Sequence, residues 1–197
     1  MKKLLITGFD PFGGSGINPA QMAVEQLPNE IGDFSVEKMI IPTVFGEAAR
    51  QVCSRIDQWQ PDVVLCIGVA VGRDGVTPER IGVNIRDARI PDNAGNQPKG
   101  QFVAEDGPAA YFATVPVEAM AAAMEAQGIP ARVSNSAGAF VCNDVMYSVL
   151  HHCSGTATKV GFIHVPAIPS ADTPADQPTL PLSQITAALT TAILTLA

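Results

Sequence analysis

The chain has 197 residues, 47% of them hydrophobic and 16% charged, which is one domain's worth of sequence with a substantial core and excludes disorder for its bulk. Twelve Lys and Arg against nineteen Asp and Glu leave a net charge of −7, and the absence of any basic run argues against a nucleic-acid partner. The apolar run behind Lys2 and Lys3 is too short for a secretory signal, 182–197 carries Ser183, Gln184 and four threonines, and the four cysteines lack C-x-x-C spacing, so the expectation is a cytoplasmic protein with reduced thiols and no membrane partner.

In chain order, residues 3–7 (KLLIT) form an apolar run stopped by Gly8, the build of a strand covered on both faces. Asn18 then suits an N-cap, Pro19 the first turn and Gln21 the third position of a helix that runs to Leu27, ahead of Pro28. Residues 39–41 read as a strand, and over 43–59 Val44, Ala48, Ala49, Val52 and Ile56 recur at helical spacing. VVLCIGV (Val63–Val69) is a third strand. An alanine-rich helix over 117–127 is closed by Gly128, followed by a short strand at 132–134, a helix over Val141–His152, a strand at 160–165 and a helix over 183–196. This alternation predicts a three-layer α/β/α sandwich with a mostly parallel central sheet, in which ligands collect at the carboxyl ends of the strands. Two stretches break the rhythm. Residues 73–110 hold only the short run Ile81, Val83, Ile85 among Gly, Asp, Asn and Pro, and 166–181 contains five prolines; loops of that size are expected to bind something or to meet a partner chain.

The turn Gly8-Phe9-Asp10-Pro11-Phe12-Gly13-Gly14 stands where a phosphate loop would, yet has neither the P-loop nor the G-x-G-x-x-G pattern. Its two phenylalanines either wall an apolar pocket or pack on the core. Ser134-Asn135-Ser136-Ala137-Gly138 fails the G-x-S-x-G pattern of a serine nucleophile. Cys142 falls in the first turn of a helix, where free N–H groups and the helix dipole are expected to lower a thiol's pKa from about 8.5, whereas Cys53 and Cys66 fit the core. There are three histidines. His151 and His152, followed by Cys153, point about 100° apart on a helix end and lack further ligands, so no metal site is expected. His164 ends a strand at the carboxyl edge, within reach of Cys142. A carboxylate should fix its tautomer, with Glu79, Asp74, Asp87 and Asp92 as open candidates.

Four motifs, TGFDPFGGSGINPA, PERIGVNIRDARIPDNAGNQP, SNSAGAFVCNDVMY and GFIHVPAIP, stand in an order that resembles the pyroglutamyl peptidase type I family, the C15 cysteine peptidases, over essentially the whole chain. The resemblance implies a single peptidase domain over 1–197 that hydrolyses the bond after an N-terminal pyroglutamyl residue of peptides, through a thioester and without metal or organic cofactor. It assigns Cys142 as nucleophile, His164 as general base then acid, Glu79 as the orienting carboxylate, and Arg89 with the Cys142 N–H to the oxyanion. It lines the substrate pocket with Phe9, Phe12, Asn18, Thr43, Phe140 and Val141. An uncharged lactam suits aromatic walls and a few hydrogen bonds. Asn18 thereby has two roles, helix cap and lactam ligand, which the sequence leaves open. Where the family reads G-Q-A-G-G-R, this chain has Gly68-Val69-Ala70-Val71-Gly72-Arg73; Val69 can offer a main-chain carbonyl in the pocket but no side-chain amide. The resemblance also implies a homo-oligomer, a tetramer. The alternative is a binding module with an inert thiol, distinguished by slow alkylation.

Overall fold

In the computed structural model, which describes residues 1–170 and 174–196, the chain runs β1 (Lys2–Phe9), α1 (Pro19–Gln26), β2 (Glu30–Ile31), β3 (Phe34–Ile41), α2 (Glu47–Trp59), β4 (Val63–Val69), β5 (Thr77–Pro78), β6 (Ile81–Val83), β7 (Ala110–Phe112), α3 (Val117–Ala126), α4 (Val141–His152), β8 (Lys159–Val165) and α5 (Leu182–Leu194). The expected α/β/α sandwich is present. Six strands pair in the order β2-β3-β1-β4-β8-β5; β3, β1, β4 and β8 are parallel, and the two-residue edges β2 and β5 are antiparallel.

Alternation along the buried strands splits the core in two. In β1, Leu4 and Ile6 face a cluster with Ala20, Val24, Met120 and Leu189, from α1, α3 and α5, whereas Leu5 and Phe9 face Val52, Val145 and Val149, from α2 and α4. Burying such a side chain contributes roughly 1.5–3 kcal/mol, so both faces must be covered for these runs to be strands. The arrangement aligns the carboxyl ends of β1, β3, β4 and β8 along one edge. The loops after Phe9, Ile41, Val69 and Val165 all emerge there.

Three expectations are corrected. The helix expected from residue 43 begins at Glu47. Gly46 has φ +71°, outside the helical region, so the helix cannot run back through it, and the amides of Thr43, Phe45 and Gly46 are anchored by carboxylates of Asp10, Asp92 and Asp144 at 2.7, 2.9 and 2.8 Å. The strand expected at 132–134 is reduced to isolated bridges, Val76 with Ala131 and Glu79 with Ser134; Pro78 and Pro130 have no N–H to extend a ladder. Within 73–110, Ile81–Val83 pairs with Ala110–Phe112 as a separate ribbon. Part of the proline-rich stretch, 171–173, lies outside the described residues.

Candidate active site

Cys142 occupies the second position of α4, after Phe140, which supplies no side-chain cap. The first-turn amides therefore remain available to another acceptor. The start of this helix is fixed from its flanks. Asn143 accepts from Val83 N at 2.9 Å and donates to Val83 O and Ile85 O at 2.8 and 3.0 Å, clamping the β6 ribbon. Asp144 accepts from Arg86 Nε at 2.6 Å and from Gly46 N at 2.8 Å, tying the helix to the start of α2.

The sulfur stands over the end of β4: a Cβ built on Gly68 would lie 2.9 Å from Cys142 Sγ and 2.9 Å from the Phe162 ring, so only glycine fits. Gly68 pairs in register with His164. Their side-chain directions therefore share one sheet face about one strand spacing, ~4.8 Å, apart. The Phe162 and His164 rings lie 4.9 Å apart on that face.

His164 is 4% exposed. Its Nδ1 lies 2.7 Å from Glu79 Oε1, and Glu79 is held just past β5, which pairs antiparallel with β8, by its amide donating to Phe162 O at 2.8 Å. The fully buried carboxyl is opposed by burial, but the hydrogen bond and charge of His164, with Ser134 and Arg73 nearby, bring its pKa below the usual value. An ionised carboxylate only accepts, so Nδ1 carries the proton and Nε2 is free toward the thiol's side. Burial lowers the imidazole's own pKa, against the hydrogen bond and charge of Glu79. The ring is neutral above its lowered value.

The expected lowering of the thiol's pKa is not found. Burial first, then the charge on Glu79, push Cys142 up to about 12; the helix start does not outweigh them. At rest Cys142 is therefore a thiol, and the His164 ring is neutral above its lowered pKa.

Of the four candidate carboxylates only Glu79 meets the ring. Asp74 pairs with Arg132, Asp87 faces Lys99 at 3.8 Å, and Asp92 braces its own loop through Ala94 N and Asn96 N and ties it to Phe45 N before α2. Arg89 is exposed, and among the described residues its guanidinium makes no hydrogen bond or ion pair. The remaining residues divide. Phe9 is 3% exposed and packs on Phe162 at 6.4 Å, as core beneath the site. Phe12 and Phe140 meet at 5.2 Å, and Phe45 closes on Phe140 at 5.1 Å, edge to face; Phe45 went unread because it fell within an expected helix. Val141 is buried in the same cluster as Phe9. Asn18 accepts from Ala20 N and donates to Asp10 O, both at 2.9 Å, so both ends of its amide are engaged, as cap and as loop clasp. Buried Thr43 reaches Asp10 O at 3.4 Å. Val69 packs on the opposite core cluster, leaving only its main chain toward the side of Cys142.

Elsewhere, His151 Nδ1 meets Tyr111 Oη and His152 Nε2 meets Asp57 Oδ1, each at 2.8 Å. Among the described residues no group of three or more His, Cys, Asp and Glu could hold a metal, and no helix is long and apolar enough to cross a membrane.

A thiol at a helix start, an imidazole at a strand end and a carboxylate behind it, at the carboxyl edge of a parallel sheet, define a cysteine-type hydrolase. The model of the pyroglutamyl peptidase family matches residues 2–197, and the chain belongs to that family. It is 54% identical over 170 residues to pyrrolidone-carboxylate peptidase of Clostridium botulinum, covering 85% of this chain and 80% of that one, and 50% identical over 182 residues to the protein of the same name from Staphylococcus saprophyticus, covering 91% and 84%. Its fold matches the crystal structure of pyroglutamyl peptidase I from Bacillus amyloliquefaciens with a TM-score of 0.95 at 42% identity, covering 100% of this chain and 97% of that one. Pyrrolidone carboxyl peptidase from Thermococcus litoralis matches with a TM-score of 0.95 at 38% identity, covering 100% and 93%.

Proposed function

We propose that Cys142, His164 and Glu79 carry the pyroglutamyl peptidase activity of this chain, acting as a single peptidase domain over 1–197 on the N-terminal pyroglutamyl residue of peptides. One observation supports this most: Nδ1 of His164 is spent on Glu79 at 2.7 Å, which leaves Nε2 on the face where Cys142 Sγ covers Gly68. The sulfur attacks the carbonyl joining pyroglutamate to the next residue as its proton passes to Nε2. The imidazolium returns that proton to the departing amine, and the C–N bond breaks to leave a thioester. Water, losing a proton to Nε2, then attacks the thioester, and 5-oxoproline leaves as the thiol re-forms.

The amides at the uncapped start of α4 favour the oxyanion, a contribution of about 2–4 kcal/mol to the transition state; Arg89, assigned there by the family resemblance, would have to swing in from the surface. Phe12, Phe45 and Phe140 suit the lactam's ring carbons, and Thr43 with the Val69 main chain suits its polar edge. Phe9, Val141 and Asn18 support these walls from behind.

Release of a fluorophore from a pyroglutamyl amide, beside prolyl and glutaminyl analogues, tests the reading. Cys142→Ala and iodoacetamide treatment should each abolish release, and activity surviving Cys142→Ala would sink the mechanism. A homotetramer in the cytoplasm fits the exposed Val71, Phe102 and Phe112 and the four free cysteines; a monomer-sized species in light scattering at micromolar concentration would refute the assembly.

A further inference from the structure

The carboxylate that orients the histidine is shared with a second cation. Arg73, in the turn after β4, places Nη1 2.6 Å from Glu79 Oε1, the same oxygen that takes His164 Nδ1. Nη1 also reaches Thr77 Oγ1, and Nη2 donates to Ser136 O at 3.0 Å. The guanidinium is thus fixed by β5 and by the loop leading into α4. Its side chain is 24% exposed, while that of Glu79 is fully buried.

We propose that Arg73 is a positioning residue for the hydrolysis: by sharing Glu79 Oε1 with the imidazole, it holds the carboxylate in place and limits the negative charge that Glu79 presents to the ring. This rests on the reading of Cys142, His164 and Glu79 as the reacting set. The reason lies in what a lone carboxylate would do. Opposite His164, an uncompensated Glu79 pulls the ring toward imidazolium, which cannot accept the thiol's proton. A charge-assisted contact from arginine to the same oxygen divides that pull.

The other groups facing His164 support the assignment. Burial lowers the imidazole's pKa first, the hydrogen bond and charge of Glu79 raise it, and the charge of Arg73 lowers it again. Cys142 approaches from α4, and there Arg73 opposes the upward push of Glu79 on the thiol. Asp74, next in sequence, is turned to Arg132 at the surface. One cation therefore keeps the ring unprotonated before the transfer, so that it has a site to receive the proton, and makes the sulfur readier to give it up.

Histidine-selective ¹³C NMR titration reads the ring directly, because the chain has three histidines, and kcat and KM are followed against pH on the same samples. In Arg73→Met, kcat should fall about tenfold to a hundredfold, the scale of one charge-assisted hydrogen bond, with KM little changed. The His164 titration and the acid limb of kcat/KM should move together to higher pH. Arg73→Lys, which keeps the charge and loses the fork, should bring both back and recover part of kcat. A kcat loss with the His164 titration and the acid limb unmoved would reduce Arg73 to a brace and overturn the proposal, as would full activity. If Arg73→Met fails to fold, Arg73→Gln carries the same readouts. Should Cys142→Ala remain active, the reacting set fails, yet the titration, which needs no turnover, still decides whether Arg73 acts on the ring.

Discussion

Two buried carboxylates in this protein look alike and are built for different ends. Glu79 and Asp144 are both fully buried, and each meets an arginine at 2.6 Å whose side chain is about a quarter exposed, Arg73 at 24% and Arg86 at 23%. Asp144 spends each oxygen on one fixed donor, Arg86 Nε and Gly46 N. Glu79 loads one oxygen with both Arg73 and His164, and its Oε2 has no hydrogen-bond partner of ordinary geometry. A carboxylate whose partners never titrate locks elements together. One shared between a permanent cation and an imidazole responds when a proton moves.

The sharpest way to break this contrast is to neutralise each in turn. Glu79→Gln should lower kcat roughly a thousandfold, because the ring loses its orienting acceptor and the charge that stabilises imidazolium. The hydrogen bonds and charges of His164 and Arg73 outweigh burial and hold Glu79 ionised, so the amide should cost stability as well. Asp144→Asn should cost stability without the loss of turnover: opening a buried pair costs about 2–3 kcal/mol after discounting for the partly exposed Arg86, a fall in Tm of roughly 5–10 °C, with a much smaller loss of kcat. Differential scanning calorimetry beside the fluorogenic assay checks both. Equal effects on kcat would erase the distinction.

What was legible in the sequence follows the same division between local and distant causes. VVLCIGV and VCNDVMYSVLHH carry their own apolar periodicity, and the expected bounds Val63–Val69 and Val141–His152 match the structure. Asn18 caps α1 as read. The start of α2 could not be read, because the helix stops at Gly46 with φ +71°, in a turn that Asp92 and Asp144, 47 and 98 positions later than the amides they accept from, hold in place. Among four candidate carboxylates, composition could not choose Glu79; only the pairing of β5 with β8, across 85 positions, brings it to His164, and the family motifs supplied that choice before any geometry. Arg73 carried no signal beyond its place in the turn. The thiol's pKa runs against the sequence expectation for the same reason: the helix start is local, while burial and Glu79, which prevail, come from elsewhere.

A smaller effect is expected at the floor beneath Cys142. In Gly68→Ala the new methyl would meet Cys142 Sγ and the Phe162 ring at 2.9 Å, displacing the sulfur by a few tenths of an ångström. Misplacement on that scale should cost about tenfold to a hundredfold in kcat, with about 1–3 kcal/mol of stability lost to crowding. Single-turnover acylation would show whether attack is the slowed step. An unchanged acylation rate would mean that the sulfur does not work from its place over Gly68.

The least disruptive test changes only pH. His164 has its pKa lowered from 6.5, chiefly by burial, so kcat/KM should hold through 6.5 and fall at lower pH, as imidazolium forms and can no longer accept the thiol's proton. The stability contributed by the neutral ring is present above 6.5 and is lost as pH falls through the lowered value. That of Glu79, whose pKa lies below 4.5, is present above 4.5 and is lost at still lower pH. The two carboxylates should separate again here. Glu79→Gln removes the charge that raises the ring's pKa, and its residual activity should show an acid limb displaced to lower pH. Asp144→Asn, whose pair does not include His164, should leave the limb where it is. Profiles of the three proteins over about pH 4 to 8 decide the matter, and an Asp144→Asn limb that moved as far as that of Glu79→Gln would mean the second pair also acts on the imidazole.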